Sequence, residues 1–396
     1  MGAKKEVRVP IRAETLRWAM ERARVDESEL ARALGVARER VLAWSSGSER
    51  PTHAQAHRIT RRLDIAFSGL LLPPPERDPE LPLRDFRRGN RSEQPPSLEL
   101  RAVVLDAVRK RDWYREYRAR TNPVVGLFRE RSAAEAADWA SRELEIEAIR
   151  RDSPTWSTFR SRLADAIENR LDVLVLRNSV VGNDTHRPLD ENEFAGFALA
   201  DPIAPLIFVN TRGSVARSIF TLAHELGHVL AAEDALDSDP FLDIEENLDT
   251  GRDRERFCDR FAAELLMPEQ DFRSAWSEAK DEDLDRRCDL LAARFRVSAR
   301  AVLVRARALH LVPKEAFDEA RKRIQGREKR TEDHGTERGG NFWTNLARKN
   351  SKRFLRAVIE ATRNGDLTYT YGAPLLGIGP DALVTIINDP EKVIHA

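Results

Sequence analysis

His224, Glu225 and His228 stand in the run Thr221-Leu-Ala-His-Glu-Leu-Gly-His-Val-Leu230. Two histidines four residues apart share one face of a helix, so both imidazoles can reach one ion. Glu225 lies about 100° round the helix from His224, close enough to meet a water at that ion. Two nitrogen donors leave room for a third protein ligand and a water, the arrangement of a catalytic zinc. Leu222, Ala223, Val229 and Leu230 flank the motif with apolar side chains, as a buried helix requires.

A third ligand must come from another segment. Glu255 opens the run Glu255-Arg-Phe-Cys-Asp259-Arg-Phe-Ala-Ala-Glu264-Leu-Leu-Met-Pro268. Glu255 and Asp259 are four apart and share a helix face. Glu264 falls roughly 180° away from Glu255 and cannot serve the same ion. With Glu255 as ligand, Asp259 accepts a hydrogen bond from the far nitrogen of a metal-bound histidine and fixes its tautomer. Cys258 points about 60° away from Glu255 and reads as a core thiol. Two histidines and a carboxylate also suit manganese or iron.

These residues need a scaffold. LDVLVLRN (171–178), GFALAD (196–201) and APLIFVN (204–210) have the length and apolar content of strands. The last of them precedes the His-bearing helix and is expected to offer an edge along which an extended peptide pairs. Helices are expected over 98–118, 132–150 and 155–170, and again from 214 to about 325. Residues 231–259 hold 11 acidic and 3 basic side chains, and 231–253 read as a solvated loop between the two metal-bearing helices. His186, Arg294, His310 and Tyr369 are the candidates for stabilising an oxyanion.

The N-terminal 75 residues read differently. Helices are expected over Ala13–Arg24, from Asp26 to Leu34, over Arg38–Trp44 and over Thr52–Leu63, with a further turn over Phe67–Leu72. Asp26 is the N-cap of the second, with Glu29 three residues on. Gly35 stops that helix, and the pair has helix–turn–helix spacing. The segment resembles the XRE (Cro/repressor-like) family through LRWAMERARVDESELARALGV and the later Trp44, Gly47 and Pro51. The resemblance implies binding of double-stranded DNA, with Arg38, Glu39, Arg40 and Ala43 at base edges in the major groove. Arg50, Arg58, Arg61 and Arg62 would meet phosphates.

HELGH, an acid-rich insert and then ExxxDRFAAELLMP resemble the ImmA/IrrE family of zinc metallo-endopeptidases. The PPPE…PLRDFRR stretch and the C-terminal FWTNLARKNSKRFLRAVIEATRNGDLTYTYGAPLLGI extend the likeness over most of the chain. The resemblance implies a gluzincin-like domain with His224, His228 and Glu255 on Zn2+ and Glu225 as general base. It also implies a protein substrate, a transcriptional repressor.

The implied fold class is mainly α with a small β-sheet. The domains expected are a helix–turn–helix head (1–75), a Pro-rich linker (76–97), the peptidase domain (98–324), a polar linker (325–340) and a helical C-terminal subdomain (341–396). Phe342 and Trp343 are expected in its core with Phe354, Leu355, Val358 and Leu375. Across 396 residues, 66 basic side chains balance 66 acidic ones, which excludes a uniformly basic nucleic-acid coat protein. Residues 1–72 nevertheless carry 14 basic against 9 acidic side chains. Two cysteines, Cys258 and Cys288, exclude a disulfide framework and a four-cysteine zinc site. With no apolar run of about 18 residues and no signal-peptide pattern, a cytoplasmic protein is expected. The rival reading is a DNA-binding transcription factor or antitoxin whose peptidase-like domain serves only as sensor or docking module.

Overall fold

Two capping boxes start helices at the N-terminal end of the chain. Asp26 accepts from the Glu29 backbone at 2.7 Å, and Glu29 reaches back to the Asp26 N–H at 3.2 Å. Thr52 and Gln55 repeat the device. The order is α1 (Ala13–Arg22), α2 (Glu27–Leu34), α3 (Arg38–Ser46), α4 (His53–Leu63) and a 3-10 turn at Ser68–Leu71. Gly35 takes φ +63° and ends α2, a conformation that favours glycine. Leu16, Leu30, Leu34, Val41, Trp44, Ile59 and Leu63 close one core. The outer face of α3 leaves Arg38, Glu39 and Arg40 exposed and Ala43 half-buried.

The computed structural model describes residues 7–76, 81, 96–232, 235–237, 253–332 and 341–394. It divides into two units, 1–82 with 93–104, and 83–92 with 105–396. Most of the expected linker 76–97 therefore lies outside the described residues. Helix α5 (Leu98–Arg118) begins in the first unit and ends in the second.

In the second unit the expected helix over 132–150 is two helices, α6 (Ala133–Leu144) and α7 (Ile146–Asp152). The chain breaks at Glu145, whose φ is +55°. Then follow α8 (Trp156–Leu171), β1 (Leu174–Asn178), β2 (Val180–Val181), β3 (Asp184–Pro188), β4 (Gly196–Leu199), β5 (Leu206–Asn210), α9 (Val215–Ala231) and β6 (Ala235–Asp237). One sheet has the order β1-β5-β4-β6, with β1 and β5 parallel and the other pairs antiparallel. Every residue of β4 and β5 is buried, as continuous apolar strands covered by helices should be.

This order corrects one expectation. APLIFVN contains β5, a central strand bonded on both sides, so it has no edge to offer. The acidic stretch is also not loop throughout, since residues 235–237 pair with β4. The hairpin β2–β3 was not expected. β2 is only two half-buried valines and β3 is polar and largely exposed, so neither carries an apolar alternation to read.

The remaining helices are α10 (Asp253–Leu266), α11 (Glu269–Glu278), α12 (Leu284–Phe295), α13 (Ala299–Ala308), α14 (Lys314–Glu332), α15 (Phe342–Asn350), α16 (Lys352–Asn364), α17 (Tyr369–Leu376), α18 (Pro380–Asn388) and α19 (Glu391–Ile394). Residues 325–332, expected as linker, continue α14. Phe317, Ala320 and Ile324 seat that helix in the core. Arg323 and Arg327 then pair with Asp285 and Asp289 of α12 at 2.9 and 3.0 Å. Helix α15 packs on the outer strand β1. Phe354, Leu355, Val358 and Leu375 are buried, but Phe342 is 48% exposed. It sits in the first turn of α15, edge-to-face with Trp343, where the helix has just left its Asn341 cap. Among the described residues no single helix is long and apolar enough to cross a membrane.

Helix α8 carries Glu168 into the core, where it accepts from the Val175 and Arg353 backbones at 3.4 and 3.2 Å. Burial pushes its carboxyl up to about 7, against hydrogen bonds from Ser351 and Arg353 that lower it. The unfolded carboxyl releases its proton near 4.5. Between these values the folded chain binds the additional proton, so stability falls as pH rises through the window. The contribution is of the order of 3 kcal/mol. Urea unfolding of wild type and Glu168→Gln should therefore give a stability difference that shifts against wild type between about pH 5 and pH 7.5. A pH-independent difference between the two proteins refutes the assignment.

Candidate metal centre

Ser214 caps the start of α9 through the Arg217 N–H at 3.2 Å. The helix then runs against β4, β5 and α10. Its residues 218–231 are all buried. Gly227 makes the approach of α10 possible. A Cβ there would lie 3.1 Å from Cys258 Cα and 3.2 Å from Phe261 Cδ1, so close that these neighbours would have to give by a few tenths of an ångström. The glycine in HELGH is thus a packing requirement, which the sequence shows as a small residue between two functional ones.

The close packing brings three donors together. His224 Nε2 and His228 Nε2 are 3.2 Å apart. Glu255 places Oε2 at 3.6 Å from His224 Nε2 and Oε1 at 3.7 Å from His228 Nε2. Tetrahedral bonds of about 2.0–2.2 Å imply ligand separations of about 3.3–3.6 Å. The donor triangle therefore has the size that a zinc-like ion requires. All three side chains are at most 5% exposed.

Asp259, one turn after Glu255, sets its Oδ1 at 3.0 Å from His224 Nδ1. That contact orients the ring so that Nε2 faces the donor cluster. Glu225 is fully buried. A Cβ built on Gly196 of β4 would lie 2.8 Å from Glu225 Oε1 and 2.7 Å from Thr221 Cγ2. The bare backbone of β4 thus leaves the space that the Glu225 carboxylate uses. Gly196 is a residue that sequence reasoning missed; its only trace is a glycine at the start of a strand.

The electrostatics favour a cation. Glu225, Glu255 and Asp259 are three buried carboxylates beside two imidazoles. Burying such charge is costly unless positive charge compensates it. The donor types and their separations fit a divalent ion.

Cys258 lies nearer than the sequence suggests. It is buried, and its Sγ comes within 4.8 Å of a nitrogen of each imidazole. Burial pushes the thiol up from its ordinary range, against the two imidazoles, which lower it. Glu264, as expected from its helical phase, faces elsewhere and pairs with Arg305. The expected oxyanion groups are not gathered here. Arg294 is held by Glu278 at 2.7 Å, and His186, His310 and Tyr369 are exposed.

Two packed helices with this donor triangle, the first of them lying on a four-stranded sheet, form a zincin-like metallopeptidase arrangement. Residues 168–307 match the family model of the IrrE N-terminal-like domain, a peptidase family. The match spans α8 to α13 and includes every residue of the donor cluster. No curated protein matches the chain.

The centre makes a direct prediction about metal content. Elemental analysis of purified protein should find about one divalent ion per chain. Glu255→Ala should lose it and Cys258→Ala should keep it. Loss with Cys258→Ala and retention with Glu255→Ala would reverse the ligand assignment.

Proposed function

We propose that the second unit is a zinc-dependent endopeptidase that cleaves a specific protein, a transcriptional repressor, and that the first unit binds double-stranded DNA. The observation that carries the enzymatic reading is the donor triangle with a buried carboxylate beside it. His224, His228 and Glu255 would hold the ion. Such an ion supplies Lewis-acid polarisation of a carbonyl and acidification of water. Glu225 is the general base. Its carboxylate removes a proton from the attacking water and returns it to the leaving amine. Asp259 holds the Nδ1 proton of His224 and keeps that ring in one tautomer. Gly196 positions Glu225 by leaving room for it.

The DNA reading rests on α3. Its inward face is spent on Val41 and Trp44, and its outward face presents Arg38 and Arg40. Arginine pairs well with guanine in the major groove. Arg50, Arg61 and Arg62 are exposed nearby in sequence and suit phosphate contacts. Joined in one chain, the two units would put peptidase activity at an operator.

Mapping new protein N-termini in cells expressing wild type and Glu225→Gln tests the enzyme. Wild type should generate cleavage products that Glu225→Gln does not, although the variant keeps its metal. His224→Ala should lose metal and products together. Gly196→Ala should keep metal but slow cleavage by about a hundredfold, through displacement of the base. Identical N-terminal maps for wild type and Glu225→Gln would leave the rival DNA-binding regulator.

For the head, selection of bound sequences should yield an operator whose affinity falls steeply with salt. Arg38→Ala and Arg40→Ala should each weaken it by about 1–3 kcal/mol. Binding unchanged in both variants would remove α3 from the interface.

A further inference from the structure

Alongside α10, with Asp259 in its wall, the second unit has a cavity of about 780 Å3. The start of α6, α10, α13, the turn after α13 and Phe317 of α14 form its walls. None of the three proposed metal ligands lines it. The floor is apolar, with Phe257, Val304, Leu309 and Phe317. The polar part of the lining is cationic, with five arginines against two carboxylates.

Both carboxylates are already engaged. Asp259 faces His224 Nδ1 at 3.0 Å. Glu264 pairs with Arg305 and also accepts from the Glu269 N–H at 2.9 Å. Among the arginines, Arg131 and Arg260 reach solvent. Arg305 is 8% exposed and is the arginine that Glu264 neutralises, with only its Nε lacking a hydrogen-bond partner among the described residues. Arg260 is exposed and has no ion pair among the described residues. Arg131 is exposed and stacks on Phe128. The first turn of α6 adds to this charge. Ser132, Ala133 and Ala134 line the cavity at its positive end, where backbone N–H groups favour an anion. Glu135 caps that turn through Ser132 and takes up part of the field.

The geometry points to a binding site for a small organic phosphate whose apolar body lies on Phe257, Val304, Leu309 and Phe317 and whose phosphate meets Arg131, Arg260 and the α6 N-terminus. The volume suits such a ligand, since small-molecule sites run to about 300–1,000 Å3. Planar guanidinium groups bind phosphate in pairs of hydrogen bonds. Neither a free phosphate nor a neutral aromatic uses both halves of the lining. The inference is independent of proteolysis, because binding is read whether or not the protein cleaves anything.

Calorimetric titration of the full-length, metal-loaded protein with 1-naphthyl phosphate tests it. Saturable binding is expected with a Kd below about 1 mM. Inorganic phosphate and 1-naphthol should each bind at least about tenfold more weakly. The double variant Arg131→Ala, Arg260→Ala changes only exposed side chains and should lose at least about tenfold in affinity. The same titration on metal-free Glu255→Ala should still show binding, which separates this cavity from phosphate ligation at the metal. Absence of saturable binding up to about 10 mM overturns the proposal. So does equal affinity for 1-naphthol, affinity unchanged in the double arginine variant, or binding that vanishes with the metal while the variant remains folded.

Discussion

The candidate centre depends on how closely α10 approaches α9. The histidines come from one helix and Glu255 from the other. Their donor atoms meet at 3.2–3.7 Å because nothing larger than hydrogen stands at Gly227. A Cβ at that position would press on Cys258 and Phe261 of α10. Helix pairs usually pack with axes about 8–10 Å apart, set by the side chains at the contact, so a glycine at the crossing permits a close approach. The flanking contacts are apolar and complete, with Leu226, Leu230, Phe261, Ala262 and Leu265 in one core. Rigid helices in a dry core fix the donors before any ion arrives, so little ordering is left to the binding step.

A second close approach joins helix α9 to the sheet. Sheet and helix meet where Gly196 of β4 faces Thr221 and Glu225. The same β4 residue is paired through its backbone to Val209 on one side and Asp237 on the other. Glu225 is therefore held against a surface that is itself fixed by two neighbouring strands. The two glycines serve different partners. Gly227 sets the distance between helices, and Gly196 sets the room for the carboxylate. Neither has positive φ, so it is the missing side chain rather than backbone freedom that matters at both.

The donor set was legible in the sequence because its residues obey local helical geometry. His224 and His228 are one turn apart, as are Glu255 and Asp259, and phase alone turns Glu264 away. The N-terminal caps and the Gly35 stop were legible for the same reason. What was missed depends on long-range pairing. The position of β5 between β1 and β4 cannot be read from APLIFVN, since a central strand and a buried edge strand are equally apolar. The same holds for β6, three residues in an acidic run whose strand state comes from β4. Residues 325–332 look like linker by composition, but Arg323 and Arg327 lie at the spacing of Asp285 and Asp289. That match becomes visible only when α12 and α14 are set side by side. Phe342 fails in the opposite direction. Its helical phase is right for burial, yet the first turn of α15 does not cover it.

Charge accounts for the link between the centre and the surrounding core. Three carboxylates sit at most 4% exposed among apolar side chains. Water cannot compensate them there, and two neutral imidazoles cannot either. A bound divalent cation converts that cost into attraction in a region of low dielectric. Metal affinity and folding stability are then two readings of one free energy, since the unfolded chain holds no such triangle.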